Sequence, residues 1–158
     1  MGYKRVTKKD YIEYTKAHRK AFKEVERELL GRNTWRSKVH DLDKLILYRF
    51  LSVKTVSKIH RRFAWHHGRA KSRNDFIEQI IDWQCAGRTK PDKPLNAYQT
   101  LMKYRKDETD IYIPLMFQLG ILTKDREMLE PDGTYSRASL TRGRVKDFET
   151  GEWKTIDL

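Results

Sequence analysis

Residues 35–50 read WRSKVHDLDKLILYRF, and this stretch decides the fold class. Val39, Leu42, Ile46 and Phe50 recur at helical spacing and make one apolar stripe. His40, Asp41 and Lys44 stand beside it. The spacing predicts a single helix over 35–50 carrying an adjacent imidazole and carboxylate. That pair of donor types suits manganese, iron, zinc or a related divalent ion better than calcium. Both side chains can then reach one metal.

The segments on either side also read as helices. Thr7 with Asp10 predicts a capping box. Tyr11, Tyr14, His18, Phe22, Val25 and Leu29 follow at helical spacing, and Gly31 closes the helix. His18 therefore falls on an apolar face. A third helix is expected over 53–67, with Val56, His60, Phe63 and His67 on one face. The basic loop GRAKSRND precedes a fourth, capped by Asn74 and holding Phe76, Ile77, Ile80, Ile81 and Trp83, with Asp82 near its end. A second basic loop, AGRTKPDKP, is broken by Pro91 and Pro94. Short helices are expected over 97–104 and 110–119, the latter kinked or started by Pro114 and ended by Gly120.

The last thirty residues change character. EPDGTYS reads as a turn, and DFETGEWKTI predicts a β-hairpin around Gly151, with Phe148, Glu149, Trp153 and Lys154 alternating. Between them SRASLTRGRVK is basic and compatible with a flexible tail. The expectation is an all-α fold, a helical bundle over 1–125, with a basic C-terminal appendage over 126–158 that contains a small hairpin or runs extended.

Composition narrows the class of partner. The 158 residues suit one domain, with 38% hydrophobic and 35% charged residues. The formal charge of +12 and a pI near 9.8 favour anionic partners. Nucleotides, nucleic acid and acidic membrane surfaces all meet that condition, and charge does not choose among them. Cys85 is the sole cysteine, which excludes an intramolecular disulfide and a Cys-rich zinc module. The N-terminus has no apolar signal-like run, and no stretch nears the ~20 apolar residues of a membrane span. A cytoplasmic location without membrane partners is the expectation.

His18, His40, Asp41 and Asp82 complete a constellation spread over three predicted helices. Inward-facing groups from several helices of a bundle can meet at one metal. A carboxylate buried there without a partner would be costly, and a cation removes that cost. The order H…HD…D, with HDLDK at 40–44, resembles the HD-domain superfamily of metal-dependent phosphohydrolases. It is also similar to small phage and bacterial proteins that combine an HDL-x-K run, an HH pair and a late DW element. Here these are His40 to Lys44, His66 with His67, and Asp82 with Trp83, and the resemblance covers roughly residues 11–90.

The resemblance implies an HD-type helical bundle with a metal held by His18, His40, Asp41 and Asp82. It places His66 and His67 where ligands of a second metal stand, and Lys44 where the family's lysine faces substrate phosphate. The implied cofactor is a divalent metal: Mn, Fe, Ni, Zn or Mg. The implied reaction is hydrolysis of a nucleotide or other small phosphate ester. Asp41, Lys44 and His67 would take part in the chemistry, with Lys44, Arg69, Arg73 and Arg88 holding the phosphate. Two departures stand out. Asp43 occupies a position where a small residue is frequent, and the glycine-rich signature of cyclic-dinucleotide phosphodiesterases is missing after His67.

Each residue also has an ordinary reading. His18 and His60 fit as packed core histidines. Asp41 can pair with Lys44 or Lys38, and Asp82 with an arginine. Adjacent helical residues do not share a face, so at most one of His66 and His67 is expected to point inward. A rival function is a non-catalytic nucleic-acid binder. It would use the basic loops, the tail cations Arg137, Arg142, Arg144 and Lys146, and stacking by Trp35, Trp65 or Tyr98. No zinc-finger, RNA-recognition or helix-turn-helix signature accompanies it. Association with a second copy of the chain is compatible with either function.

Overall fold

The structure is a computed structural model that describes residues 6–90, 95–138, 143–146 and 153–156, the last two segments as backbone. It is all-helical with small C-terminal hairpins. Among the described residues seven α-helices run in order: α1 (Lys8–Leu30), α2 (Trp35–Val39), α3 (Leu42–Leu47), α4 (Val53–Phe63), α5 (Arg73–Thr89), α6 (Ala97–Tyr104) and α7 (Thr109–Gln118). A 3-10 turn, Lys106–Glu108, leads into α7. Strands β1 (Glu127–Leu129) and β2 (Tyr135–Arg137) pair antiparallel, as do β3 (Gly143–Lys146) and β4 (Trp153–Ile156). Among the described residues no helix is long and apolar enough to cross a membrane.

The frame is the pair α1 and α5, which pack along each other. Both start with reciprocal capping boxes, Thr7 with Asp10 and Ser72 with Asp75, which satisfy amides that a helix N-terminus leaves free. The α5 cap is therefore Ser72 rather than Asn74, and Asp82 lies mid-helix rather than near the end. Gly31 ends α1 at φ 71°, a left-handed conformation that glycine adopts without a Cβ clash. Between the two helices lie Ala21, Phe22 and Val25 of α1 with Ile77, Ile80, Ile81 and Cys85 of α5. Tyr98 and Leu101 of α6 and Tyr112, Ile113 and Met116 of α7 extend the same cluster. Tyr98, expected as an exposed stacking aromatic, is thus a core residue. Pro114 is the sixth residue of α7, inside the helix, where it lacks the N–H that would bond the carbonyl four residues back.

The expected division near residue 125 does not coincide with a break in packing. Met128 of β1 and Ala138 just past β2 join the helical core. The Gln84 side-chain amide donates to the carbonyls of Leu129 (2.9 Å) and Glu130 (3.2 Å), while its oxygen accepts from the Ala97 amide (2.8 Å). One α5 side chain thereby ties α6 and the first hairpin to the bundle. EPDGTYS supplies the turn of that hairpin, with Gly133 at φ 88°. Part of the stretch expected to be flexible is strand, in β2 and β3. Pro91, Pro94, Arg142, Phe148, Glu149 and Gly151 lie outside the described residues.

The largest correction concerns 35–50. The predicted single helix is two short ones, broken at His40 and Asp41. Its apolar stripe does not face the core: Val39, Leu42, Ile46 and Phe50 are all exposed. The residues the segment buries are Ser37, His40, Asp41 and Tyr48. Burial here follows the polar side chains, which periodicity of apolar residues does not register.

Candidate metal centre

The break that ends α2 creates the centre. His40 has an extended backbone and Asp41 sits at φ 54°, a left-handed conformation uncommon outside glycine but tolerated by Asp. The Arg19 guanidinium on α1 pins this turn, donating to the carbonyls of His40 (2.6 Å) and Lys38 (2.9 Å). On a continuous helix His40 and Asp41 would diverge. With the chain turned between them, both point inward against α1 and α5.

His18 Nε2 from α1 lies 2.7 Å from Asp82 Oδ1 on α5 and 3.4 Å from His40 Nε2. His40 Nε2 is 3.5 Å from the same Asp82 oxygen. Asp41 reaches this group with Oδ2, 3.9 Å from His18 Nε2. Its other oxygen turns to a second set of imidazoles, His60 Nε2 at 3.0 Å and His66 Nε2 at 3.6 Å. His67 Nδ1 or Nε2 lies within 4.8 Å of ligand atoms on His60 and His66. All four residues of the H…HD…D order therefore meet, and Asp41 stands between two imidazole sets.

Among the described residues three buried polar atoms in the centre have no hydrogen-bond partner: Asp41 Oδ1, His60 Nε2 and His66 Nε2. They face one another. An orphaned buried acceptor costs about 1–3 kcal/mol, so three together are expensive unless something else satisfies them. A cation between them would do so, and donors of this kind are those that transition metals and zinc prefer. The buried His, Asp and Glu groups could hold a metal ion, and the residues present fit one.

The outer partners of the imidazoles agree with that fit. Glu78 Oε1 lies 3.3 Å from His40 Nδ1 and 3.3 Å from His66 Nδ1. Glu78 Oε2 accepts from Arg36 (2.7 Å) and from Trp65 Nε1 (2.9 Å). Asp43 Oδ2 lies 2.8 Å from His60 Nδ1. A carboxylate at Nδ1 holds the proton there and turns Nε2, with its lone pair, toward the centre. Sequence reasoning missed all three participants. His60 was expected to be core packing, Asp43 looked like a misplaced charge, and Glu78 was not considered. The signal for Glu78 was an acid on the inner face of an apolar helix, between Ile77 and Ile81.

His66 and His67 correct a second expectation. The helix stops at Phe63, Ala64 is extended, and a turn follows. Outside a helix, adjacent residues need not diverge, and both imidazoles enter the cluster. Trp65 lies between them in sequence and packs edge-on against Trp35, with the Arg36 guanidinium over both rings at 5.7 and 5.3 Å.

The electrostatics are those of carboxylates gathered where cations are scarce. Burial would raise the Asp41 carboxyl, but His60, His66, His40 and Lys44 outweigh it and hold it far below the usual range. Asp82 is lowered in the same way by His18 and His40 against its own burial. Burial opposes charge on His66, yet Asp41 and Glu78 raise it to about 10. Burial and the neighbouring His66 charge push His67 down to about 4, so its ring is neutral at pH 7. Without a metal, positive charge on His40 and His66 meets the carboxylates; a bound cation would take over that role and leave their Nε2 lone pairs free.

A cavity of about 330 Å³ opens onto this centre. His18, Asp41, His60, His67 and Asp82 reach it from below, and Lys44, Arg61 and Lys90 supply its cations. Lys44 Nζ bonds Asp41 Oδ2 at 2.8 Å, so the ordinary ion pair is present as well. The other expected phosphate ligands lie elsewhere. Arg88 is held by Glu28 and by the Pro131 carbonyl, Arg73 donates to Gln118 on α7, and exposed Arg69 does not line the cavity. Comparison with protein-family models, curated proteins and solved structures finds no match for this chain.

Proposed function

We propose that the protein is a metal-dependent phosphohydrolase of HD type. One observation carries the reading: Asp41 Oδ1, His60 Nε2 and His66 Nε2 face one another without partners, beside His18, His40 and Asp82, at the floor of a cationic cavity. A bound Mn, Fe, Ni, Zn or Mg ion would supply Lewis-acid stabilisation of a phosphoryl oxygen and a water acidic enough to deprotonate near neutral pH. His18, His40, Asp41 and Asp82 would hold one ion. His60, His66 and His67, sharing Asp41, would hold a second.

The chain's own residues account for the rest. Arg61 and Lys90 place positive charge where a phosphate enters, and Lys44 steadies Asp41 at the junction of the two sets. His67, pushed down to about 4 by burial and by His66, is neutral at pH 7 and serves as ligand or proton acceptor. Glu78 and Asp43 fix the imidazole tautomers. The resemblance noted in the sequence supports the same assignment for the first four ligands.

Thermal melting of metal-stripped protein with added manganese, nickel or zinc tests the centre, since a ligand of the folded state alone raises stability by mass action. The expected result is a rise for the wild type and none for Asp41→Ala, followed by metal-dependent release of nitrophenol from bis(p-nitrophenyl) phosphate. Equal melting curves with and without every metal would end the proposal.

A further inference from the structure

Residues 44–74 contain nine cations, Lys44, Arg49, Lys54, Lys58, Arg61, Arg62, Arg69, Lys71 and Arg73, and no Asp or Glu. An ordinary solvated face intersperses both signs. Among the described residues only Lys44 of the nine takes part in an ion pair. A surface so one-sided and so little neutralised is built to meet many negative charges at once.

The helix α4 gives this charge a direction. At about 3.6 residues per turn, Ser57, Arg61, Lys54, Lys58 and Arg62 follow one another around a single arc, opposite the buried Val56. Ser57 and Arg61 line the cavity over the metal centre. Lys54, Lys58 and Arg62 continue the arc away from it, all exposed. The cations therefore form a track that starts on the surface and ends at the hydrolytic centre. A free nucleotide needs only the cavity; a track along a helix is of use to a chain of phosphates.

One exposed aromatic stands where the track meets the cavity: Tyr104, 61% exposed, in the cavity wall. Phe63 ends α4 on the Val56 side of the helix, with the Arg62 guanidinium 5.7 Å from its ring. A cationic groove combined with aromatic faces is how proteins hold unpaired bases while neutralising their backbone. We propose that the substrate is a single-stranded nucleic acid, its backbone lying along Lys54, Lys58, Arg61 and Arg62 and entering the cavity as a phosphodiester.

The inference rests on the hydrolase reading and specifies its substrate. In the reaction a water oxygen bonds to phosphorus and the bond from phosphorus to one ester oxygen breaks. One water proton ends on the departing hydroxyl and the other is released from the new phosphate monoester. No oxidant or further reactant enters.

The test uses the full chain and fluorescent twenty-nucleotide DNA and RNA strands. Binding is measured by anisotropy in EDTA across salt, then cleavage with added manganese. The comparison protein is Lys54→Ala/Lys58→Ala/Arg62→Ala, which touches no cavity residue. Bis(p-nitrophenyl) phosphate reports the metal centre, and melting reports the fold. The wild type is expected to bind and cut single strands, with affinity falling steeply with salt. The triple variant should bind at least tenfold more weakly, with a log–log salt slope shallower by about 2, as three lost phosphate contacts require. It should cut strands poorly while hydrolysing the small diester at the wild-type rate.

Absence of strand binding by the wild type, or an unchanged slope in the variant, overturns the inference; continued hydrolysis of the small diester would leave the phosphohydrolase reading standing. Equal affinity for duplex, or a preference for phosphatidylserine vesicles over strands, also overturns it. Strands bound but neither ester hydrolysed with any metal would remove both conclusions together.

Discussion

Glu26 and Asp41 are both buried carboxylates beside α1, 2% and 4% exposed, and they have opposite fates. Glu26 spends both oxygens on ordinary donors: the Asn33 amide (3.0 Å), the Thr34 backbone N–H (2.9 Å) and the Thr34 hydroxyl (2.6 Å). It staples the turn after α1 and leaves nothing unsatisfied. Asp41 bonds Lys44 through one oxygen and turns the other to imidazole nitrogens that have no partner either. Burial of an acid is therefore uninformative by itself. What separates a structural acid from a ligand is whether its neighbours complete it or share its deficit.

The comparison breaks or holds most visibly on paired substitutions. Asp41→Ala should abolish the metal-induced rise in melting temperature and all metal-dependent hydrolysis. Glu26→Ala should lower stability by about 1–3 kcal/mol, the cost of stranding buried donors, and keep the full metal-induced rise. A melting series with and without manganese reads both. A Glu26 variant that lost its metal response would erase the distinction.

The next largest effect belongs to Glu78, which resembles Glu26 in being fully bonded but spends its bonds on the ligands. Glu78→Gln replaces an oxygen by an amide donor facing Nδ1–H groups or Arg36. The imidazoles of His40 and His66 would lose the partner that turns their Nε2 atoms inward. Metal affinity should fall by 10–100-fold, the usual effect of losing an outer partner of a ligand, without vanishing. Titration calorimetry measures it. An unchanged affinity would make Glu78 a purely structural acid of the Glu26 kind.

These contrasts explain what was legible beforehand. His18, His40, Asp41 and Asp82 were readable because their order carries a pattern, and α1 because its cap and apolar spacing agree with what it buries. The segment 35–50 was misread for a physical reason. Its helical stripe is exposed, and the chain breaks where a left-handed Asp41 turns the ligands inward. His60, Asp43 and Glu78 were invisible because their role is set by imidazole and carboxylate partners 12 to 38 residues away in sequence. The pairing of His66 and His67 failed because helix geometry was applied past the end of the helix.

Asp75 sharpens the comparison from a third side, as an acid completed by a helix start. Burial would raise it, but the Ser72 and Lys71 amides, the Ser72 hydroxyl and Arg36 outweigh that and lower it from 3.8 to about 2. A depressed folded value means that its stabilisation is present above the unfolded value and fades as pH falls through the folded one. Asp75→Asn should therefore cost about 1 kcal/mol at pH 7, typical of a lost cap, and the gap from wild type should close between pH 4 and pH 2. Melting both proteins across that range measures it. A gap that stayed constant would remove the carboxylate charge from the account.

The smallest expected effect is at Cys85, and it tests the criterion where proximity alone would mislead. Its sulfur lies 3.7 Å from His18 Nδ1 and, with His18 and Asp82, could close a metal group by distance. Yet Cys85 donates to the Asp82 carbonyl at 3.2 Å and packs in the core with Ile81 and Ala97. It lies equally close to His18 Nε2, at 3.8 Å, the nitrogen that Asp82, His40 and Asp41 approach, so only its hydrogen bond and its apolar packing set it apart. A thiol so completed belongs with Glu26 rather than Asp41. Cys85→Ala should cost about 1 kcal/mol from the small void it leaves and should leave metal affinity unchanged by calorimetry. A tenfold loss would make the sulfur a ligand and show that a satisfied hydrogen bond does not disqualify a group in this centre.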